Sequence, residues 1–101
     1  MATAVQTMHA EEVVSVTDFV LGPNGRTFGR SIIESFERGV NRVVVDCRDW
    51  RRLDFGLLSG LVKAADFSRR VGATLELVNL PSTIHADIRE LRLTRRLGVI
   101  S

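Results

Sequence analysis

The sequence predicts a small α/β domain, in which a mixed β-sheet of about four strands carries three to four helices mainly on one face. Two short runs rich in β-branched and apolar residues, 42–46 and 74–78, have the composition of strands. Longer stretches with apolar residues at helical spacing follow each run, and strands joined through helices favour right-handed crossovers. The 101 residues predict one domain, 1–101, with residues 1–10 as an arm or an edge strand.

The composition is typical of a globular protein and argues against several functional classes. Apolar residues make up 45% of the chain and charged residues 26%. No apolar run reaches the length of about 18 residues that a membrane span requires, and residues 1–10 lack the apolar segment of a signal peptide. The single cysteine, Cys47, excludes an intrachain disulfide. We therefore expect a cytoplasmic protein without membrane insertion.

The charge balance is mildly basic. Fourteen basic residues face 12 acidic ones, which gives a net charge of +2. This excess is too small to predict nucleic-acid binding, which we regard as unlikely. Residues 63–101 are more basic than the first half, and a basic surface favours an acidic face on a protein partner.

In the first half of the chain, a strand is predicted over 13–21. The glycine-rich segment 22–25 then breaks it. Phe28, Ile32, Ile33 and Phe36 recur at the spacing of one helical face, so a helix is expected to follow and to end at Gly39. An alternative makes 24–25 a hairpin turn. The residues after it do not alternate, which favours the helix.

In the second half, residues 57–70 predict a second helix and 74–78 a further strand. A third helix is expected to open at Pro81 and Ser82, because proline and serine suit a first turn. Its apolar stripe would consist of Ile84, Ile88 and Leu91. A short turn at 94–97 then ends at Gly98.

No pattern of reactive residues predicts an enzyme, a metal site or a cofactor. Asp46, Asp49 and Asp54 cluster in sequence, yet each suits a strand end, a turn or a helix cap. Cys47 follows a valine run, where a lone cysteine is more often a small core residue than a nucleophile. We therefore expect a non-enzymatic protein.

The loop after the second strand is the most unusual part of the chain. Arg48, Arg51 and Arg52 flank Trp50, and this combination is more typical of a protein interface than of a nucleic-acid site. The segment 22–29 is glycine-rich, but it lacks the pattern of a phosphate-binding loop.

The same loop carries a resemblance to a known family. The strand 42–46, the segment 53–61 (Leu-Asp-Phe-Gly-Leu-Leu-Ser-Gly-Leu), Gly72 and the strand 75–78 resemble the STAS domain family, which includes anti-sigma-factor antagonists. Members carry an Asp-Ser-Ser-Gly-Leu motif that opens a helix. The resemblance covers about residues 12–98 and matches Asp54 to the motif aspartate.

The motif departs from the family at its functional position. In the antagonists, the first serine after the aspartate is the phosphoacceptor, and Phe55 occupies that position here. Gly56 replaces the second serine, and Leu57 stands where the family has glycine. Phenylalanine has no hydroxyl, so the usual phosphoswitch cannot operate at Phe55. Ser59, about one helical turn later, is a possible displaced acceptor.

The resemblance implies a protein-interaction module, such as an antagonist-like regulator or a signalling scaffold. Its partner would be a kinase-like anti-sigma factor or another STAS protein, and a homodimer is also plausible. One alternative is an accessory subunit of a lipid-transporting ABC system that binds the ABC ATPase. Another is a small-ligand or nucleotide-binding module that uses the glycine turn and Arg26. The predicted docking residues are Asn24, Arg26, Arg48, Trp50, Asp54, Phe55, Gly56, Leu57 and Ser59.

Overall fold

A computed structural model describes residues 10–17 and 22–100. Within these ranges strands and helices alternate along the chain. The elements are β1 (Glu11–Ser15), α1 (Pro23–Glu37), β2 (Arg42–Asp46), α2 (Phe55–Arg70), β3 (Thr74–Val78) and α3 (Ser82–Glu90). The predicted α/β class is confirmed. The arm proposed for residues 1–10 lies almost wholly outside the described residues, as does the second half of the strand predicted over 13–21.

The sheet is parallel in the described part of the chain, with strand order β1-β2-β3. The prediction of a mixed sheet is therefore wrong for these strands. Each strand is followed by a helix that carries the chain back, so the next strand starts at the same edge and runs in the same direction. A single parallel bridge, Leu77 to Val99, extends the sheet beyond β3. The prediction of about four strands is thus close to the three strands and one bridge observed.

One face of the sheet is buried and the other is open. Val43, Val45, Leu75 and Leu77 are all at most 5% exposed and point to the same face. They belong to one hydrophobic cluster with apolar side chains from all three helices. On the opposite face Val13 is 65% exposed. The described helices therefore cover one face, as the sequence predicts.

The later elements agree with the sequence in position and differ in detail. Strands β2 and β3 have the predicted bounds, and α2 begins two residues earlier than expected, at Phe55. In α3, Ile84 and Ile88 are buried, but Leu91 is 44% exposed. Leu91 lies at the end of the helix, where the chain turns. The prediction that it belongs to the buried apolar stripe is therefore wrong.

Helix α1 begins earlier than the glycine-rich sequence suggests. It starts at Pro23, which confirms the expected helix and excludes the alternative hairpin at 24–25, and Gly25 and Gly29 lie inside the helix. Proline at the first position costs no hydrogen bond, because its missing N–H would be unpaired there in any residue. The two glycines are buried, and their role becomes clear from the packing of α1 on α2.

The described helices have 15, 16 and 9 residues. None of those in residues 10–17 and 22–100 has the length and apolar character to cross a bilayer.

Candidate functional site

The two longest helices, α1 and α2, touch through glycines near their first turns. A Cβ atom added to Gly25 would overlap the backbone nitrogen of Leu57, and one added to Gly29 would overlap the carbonyl oxygen of Gly60. In return, a Cβ on Gly60 would overlap the carbonyl oxygen of Gly25. The backbones therefore approach to a distance that only glycine permits. This contact sets the starts of both helices side by side.

Asp54 joins the two helix starts through its side chain. Its Oδ2 accepts a hydrogen bond from the backbone N–H of Leu57 at 2.8 Å, which caps α2. The same carboxylate accepts from the N–H of Gly22, the residue before α1, with Oδ2 at 3.0 Å and Oδ1 at 3.1 Å. Helix N-termini carry partial positive charge, so the carboxylate also offsets the repulsion of two adjacent helix dipoles.

Phe55 stands at the first position of α2, directly after this carboxylate, and is 70% exposed. Leu57, two residues later, is fully buried in the core. Gly56 faces α1, since a Cβ there would overlap the carbonyl oxygen of Gly22. Of the apolar side chains predicted to line this helix start, only Phe55 therefore reaches the surface.

The structure places Trp50 differently from the predicted docking loop. Its side chain is 0% exposed, and its Nε1 donates to the carbonyl oxygen of Arg52 at 2.7 Å. The indole thus fills the core beneath the loop and is not part of a docking surface. The neighbouring arginines, which remain exposed, gave the segment its surface-like composition.

Of the remaining predicted docking residues, three are exposed and one is half-buried. Asn24 and Arg26 are exposed on the first turn of α1, beside the start of α2. Arg48 is exposed at the carboxyl end of β2, where its Nε lies 3.2 Å from Oδ2 of Asp46. Ser59 is half-buried one turn after Phe55, next to Gly60 of the helix contact.

Asp46 and Cys47, two residues that the sequence offered for catalysis, have contacts that suit a structural role. The backbone N–H of Arg48 and the side chain of Asn79 donate to Asp46 and lower the pKa of that carboxyl. Burial raises the pKa of the Cys47 thiol to about 12, which favours the thiol over the nucleophilic thiolate at neutral pH. Among residues 10–17 and 22–100, no three His, Cys, Asp or Glu side chains are grouped to hold a metal ion.

A groove between α1 and α2 is the feature that sequence reasoning missed. It has a volume of about 490 Å³, and Gly29 and Gly60 lie at the point where the helices meet. Arg26, Arg30 and Lys63 stand along its sides. A signal was present in the sequence: Gly25 and Gly29 share the four-residue spacing of Gly56 and Gly60, and this repeated spacing suits two helices in close contact.

No family model, curated protein or solved structure matches this chain. The resemblance to the STAS family rests on the residues quoted for it. The two helix starts and the groove between them are the features of the molecule that bear on its function.

Proposed function

We propose that this chain is a non-enzymatic protein-interaction module of STAS type that docks a partner through the starts of α1 and α2. We call this area the helix-start surface and define it by Asn24, Arg26 and Phe55. The observation that carries the proposal is Phe55, an aromatic side chain 70% exposed at a rigid position. Aromatic and arginine side chains are enriched among residues that dominate protein interfaces.

The rigidity of this surface supports docking. Asp54 fixes the residue before Phe55 to both helices, and the glycine contacts prevent the helix starts from separating without loss of packing. A partner that binds Phe55 would therefore lose little conformational entropy on the side of this chain.

The chemistry of Phe55 makes the docking constitutive. A phosphoryl group at this position would add a charge of about −1.5 to −2 and change the interface. Phenylalanine cannot accept that group, so a partner would meet an apolar surface at all times. This favours a regulator or scaffold whose binding is controlled by the availability of the partner.

The proposed partner is a kinase-like anti-sigma factor or another STAS protein. The alternative assigns the same surface to the ATPase of a lipid-transporting ABC system. Both are protein-docking functions that use Phe55, so the identity of the captured partner separates them.

The test is affinity capture from native cell extract with the tagged chain, followed by quantitative mass spectrometry. We compare the wild-type chain with Phe55→Ser and with the control Val71→Ser. Val71 is also an exposed apolar residue, at 52%, but it lies at the opposite end of α2. We expect the specific partner to fall at least about tenfold with Phe55→Ser, since interface anchors contribute about 2 kcal/mol or more. Val71→Ser should retain it.

Equal recovery of every protein by the wild type and Phe55→Ser would overturn the helix-start surface as the docking site. A captured anti-sigma factor or STAS protein supports the signalling function, and a captured ABC ATPase supports the transport alternative. Recovery of this chain alone would favour self-association, which sedimentation of the same variants then checks.

A further inference from the structure

The groove between α1 and α2 is concave, polar at its rim and open to solvent. Its volume of about 490 Å³ lies within the range of about 300–1,000 Å³ that is usual for small-molecule sites. Gly29 and Gly60, where the two backbones pack against each other, also line the groove.

Three cations line the groove without acidic partners. Arg26, Arg30 and Lys63 form no ion pair with any carboxylate in the described part of the chain. Arginines elsewhere, such as Arg42 and Arg96, do pair with carboxylates. Arg26 and Arg30 are also one turn apart on α1, and like charges at this spacing destabilise a helix slightly.

The acidic residues near the groove form no ion pairs with these three cations. Glu34 and Glu37 also line the groove, but they follow the arginines towards the end of α1 and pair with none of the three cations. Asp66 lies one turn after Lys63 and is occupied by Arg69 and Arg96, with the Arg96 Nη2 at 2.7 Å. Three cations and two carboxylates therefore line the groove, and Arg26 and Arg30 precede both glutamates along α1.

We infer that this groove is a binding site for a phosphate group of a small ligand, held by Arg26, Arg30 and Lys63. Arginine suits phosphate because its planar fork donates two parallel hydrogen bonds, and lysine adds a compact charge. Arg26 belongs to both the groove and the helix-start surface, whereas Phe55 does not line the groove. Partner capture by Phe55→Ser and phosphate binding by the Arg30 and Lys63 variant therefore test the two sites separately.

The experiment titrates inorganic pyrophosphate into the full chain and follows backbone amides by NMR, with sodium chloride at matched ionic strength as the reference. We expect saturable shifts at Gly29, Gly60 and Lys63. In a second arm, vesicles with and without phosphatidic acid are sedimented with the chain. Binding of pyrophosphate alone assigns the phosphate to a soluble ligand, and additional binding to phosphatidic acid vesicles assigns it to a lipid headgroup.

The double variant Arg30→Ala with Lys63→Ala should weaken binding at least about tenfold, because two charge-assisted contacts are lost. The control is Arg89→Ala, which removes an exposed, unpaired cation from α3, outside the groove. Both positions of the double variant are exposed, so the fold is expected to survive, and circular dichroism checks this.

Three results would overturn the inference. The first is shifts that sodium chloride reproduces, and the second is equal binding by the double variant and the wild type. The third is saturable binding of poly-glutamate in the groove with none of pyrophosphate or phosphatidic acid vesicles, which would assign the groove to an acidic polypeptide.

Discussion

The α1–α2 pair is built differently at its two ends. At the helix starts, Gly25, Gly29 and Gly60 place backbone against backbone, and Asp54 bonds to both helices. At the helix ends, Phe36 and Phe67 fill the space between the helices, with ring centroids 6.5 Å apart and planes inclined by 25°. The guanidinium of Arg70 lies over the Phe67 ring at 5.6 Å.

This difference separates two ways of fixing a helix pair. Side chains at the helix ends can change rotamer when a neighbour changes, so the packing there tolerates substitution. Backbone atoms at the helix starts have no such freedom, and any added atom must move a whole helix. The rigid end is also the end that carries Phe55 and Arg26.

The largest effect is expected for Gly29→Ala. The new Cβ would overlap the carbonyl oxygen of Gly60, which cannot move away without moving α2. Overpacking typically costs about 1–3 kcal/mol, and a backbone clash belongs at the upper end, against a gain of about 1 kcal/mol in helix propensity. We expect a net loss of about 2 kcal/mol in the free energy of unfolding, measured by urea denaturation. The control Thr27→Ala, at an exposed position of the same helix, should stay within about 0.5 kcal/mol. A loss of similar size in both variants would contradict the close contact.

A smaller effect is expected for Asp54→Ala. The substitution removes the cap of α2 and the acceptor for the Gly22 N–H, for a loss of about 1–2 kcal/mol. Asp54→Asn keeps a side-chain acceptor and should lose less than the alanine variant. The control is Asp49→Ala, which removes an exposed carboxylate from the same loop. Chemical denaturation of the three variants gives the order, and equal stability of Asp54→Ala and Asp49→Ala would exclude the proposed role of Asp54.

The smallest effect is expected at the opposite end of the pair, for Phe67→Leu. Leucine retains most of the apolar volume but loses the stacking with Phe36 and the contact with Arg70. The expected loss is about 1 kcal/mol, measured by the same urea denaturation. If Phe67→Leu destabilised the protein as much as Gly29→Ala, the two ends would be equally sensitive and the contrast between them would fail.

The sequence predicted the elements that have a clear hydrophobic pattern. Strands β2 and β3 were placed correctly because continuous β-branched and apolar runs are distinctive. Helix α2 was found from its apolar spacing. The direction of the strands was predicted less well, although the helices predicted between the strands favour parallel neighbours, as observed for β1, β2 and β3.

The candidate site was predicted only in part. Phe55, a predicted docking residue, is exposed, whereas Trp50, predicted to dock the same partner, is buried. Local composition does not reveal whether a loop folds its aromatic side chain inwards. The glycines of α1 were assigned to a turn, because glycine favours turns locally. Their role depends on α2, a partner about 30 residues away, and no local rule contains that contact.

The bond of Asp54 to Gly22 joins positions 32 residues apart and has a consequence for signalling within the molecule. Because the Asp54 carboxylate accepts hydrogen bonds from both helix starts, neither start can unwind without disturbing the hydrogen bond to the other. A ligand that loosens or tightens α1 at Arg26 would therefore be felt at Phe55 on α2. The two helix starts are therefore expected to unwind together, and a phosphate and a partner bound as proposed would each change the affinity of this chain for the other.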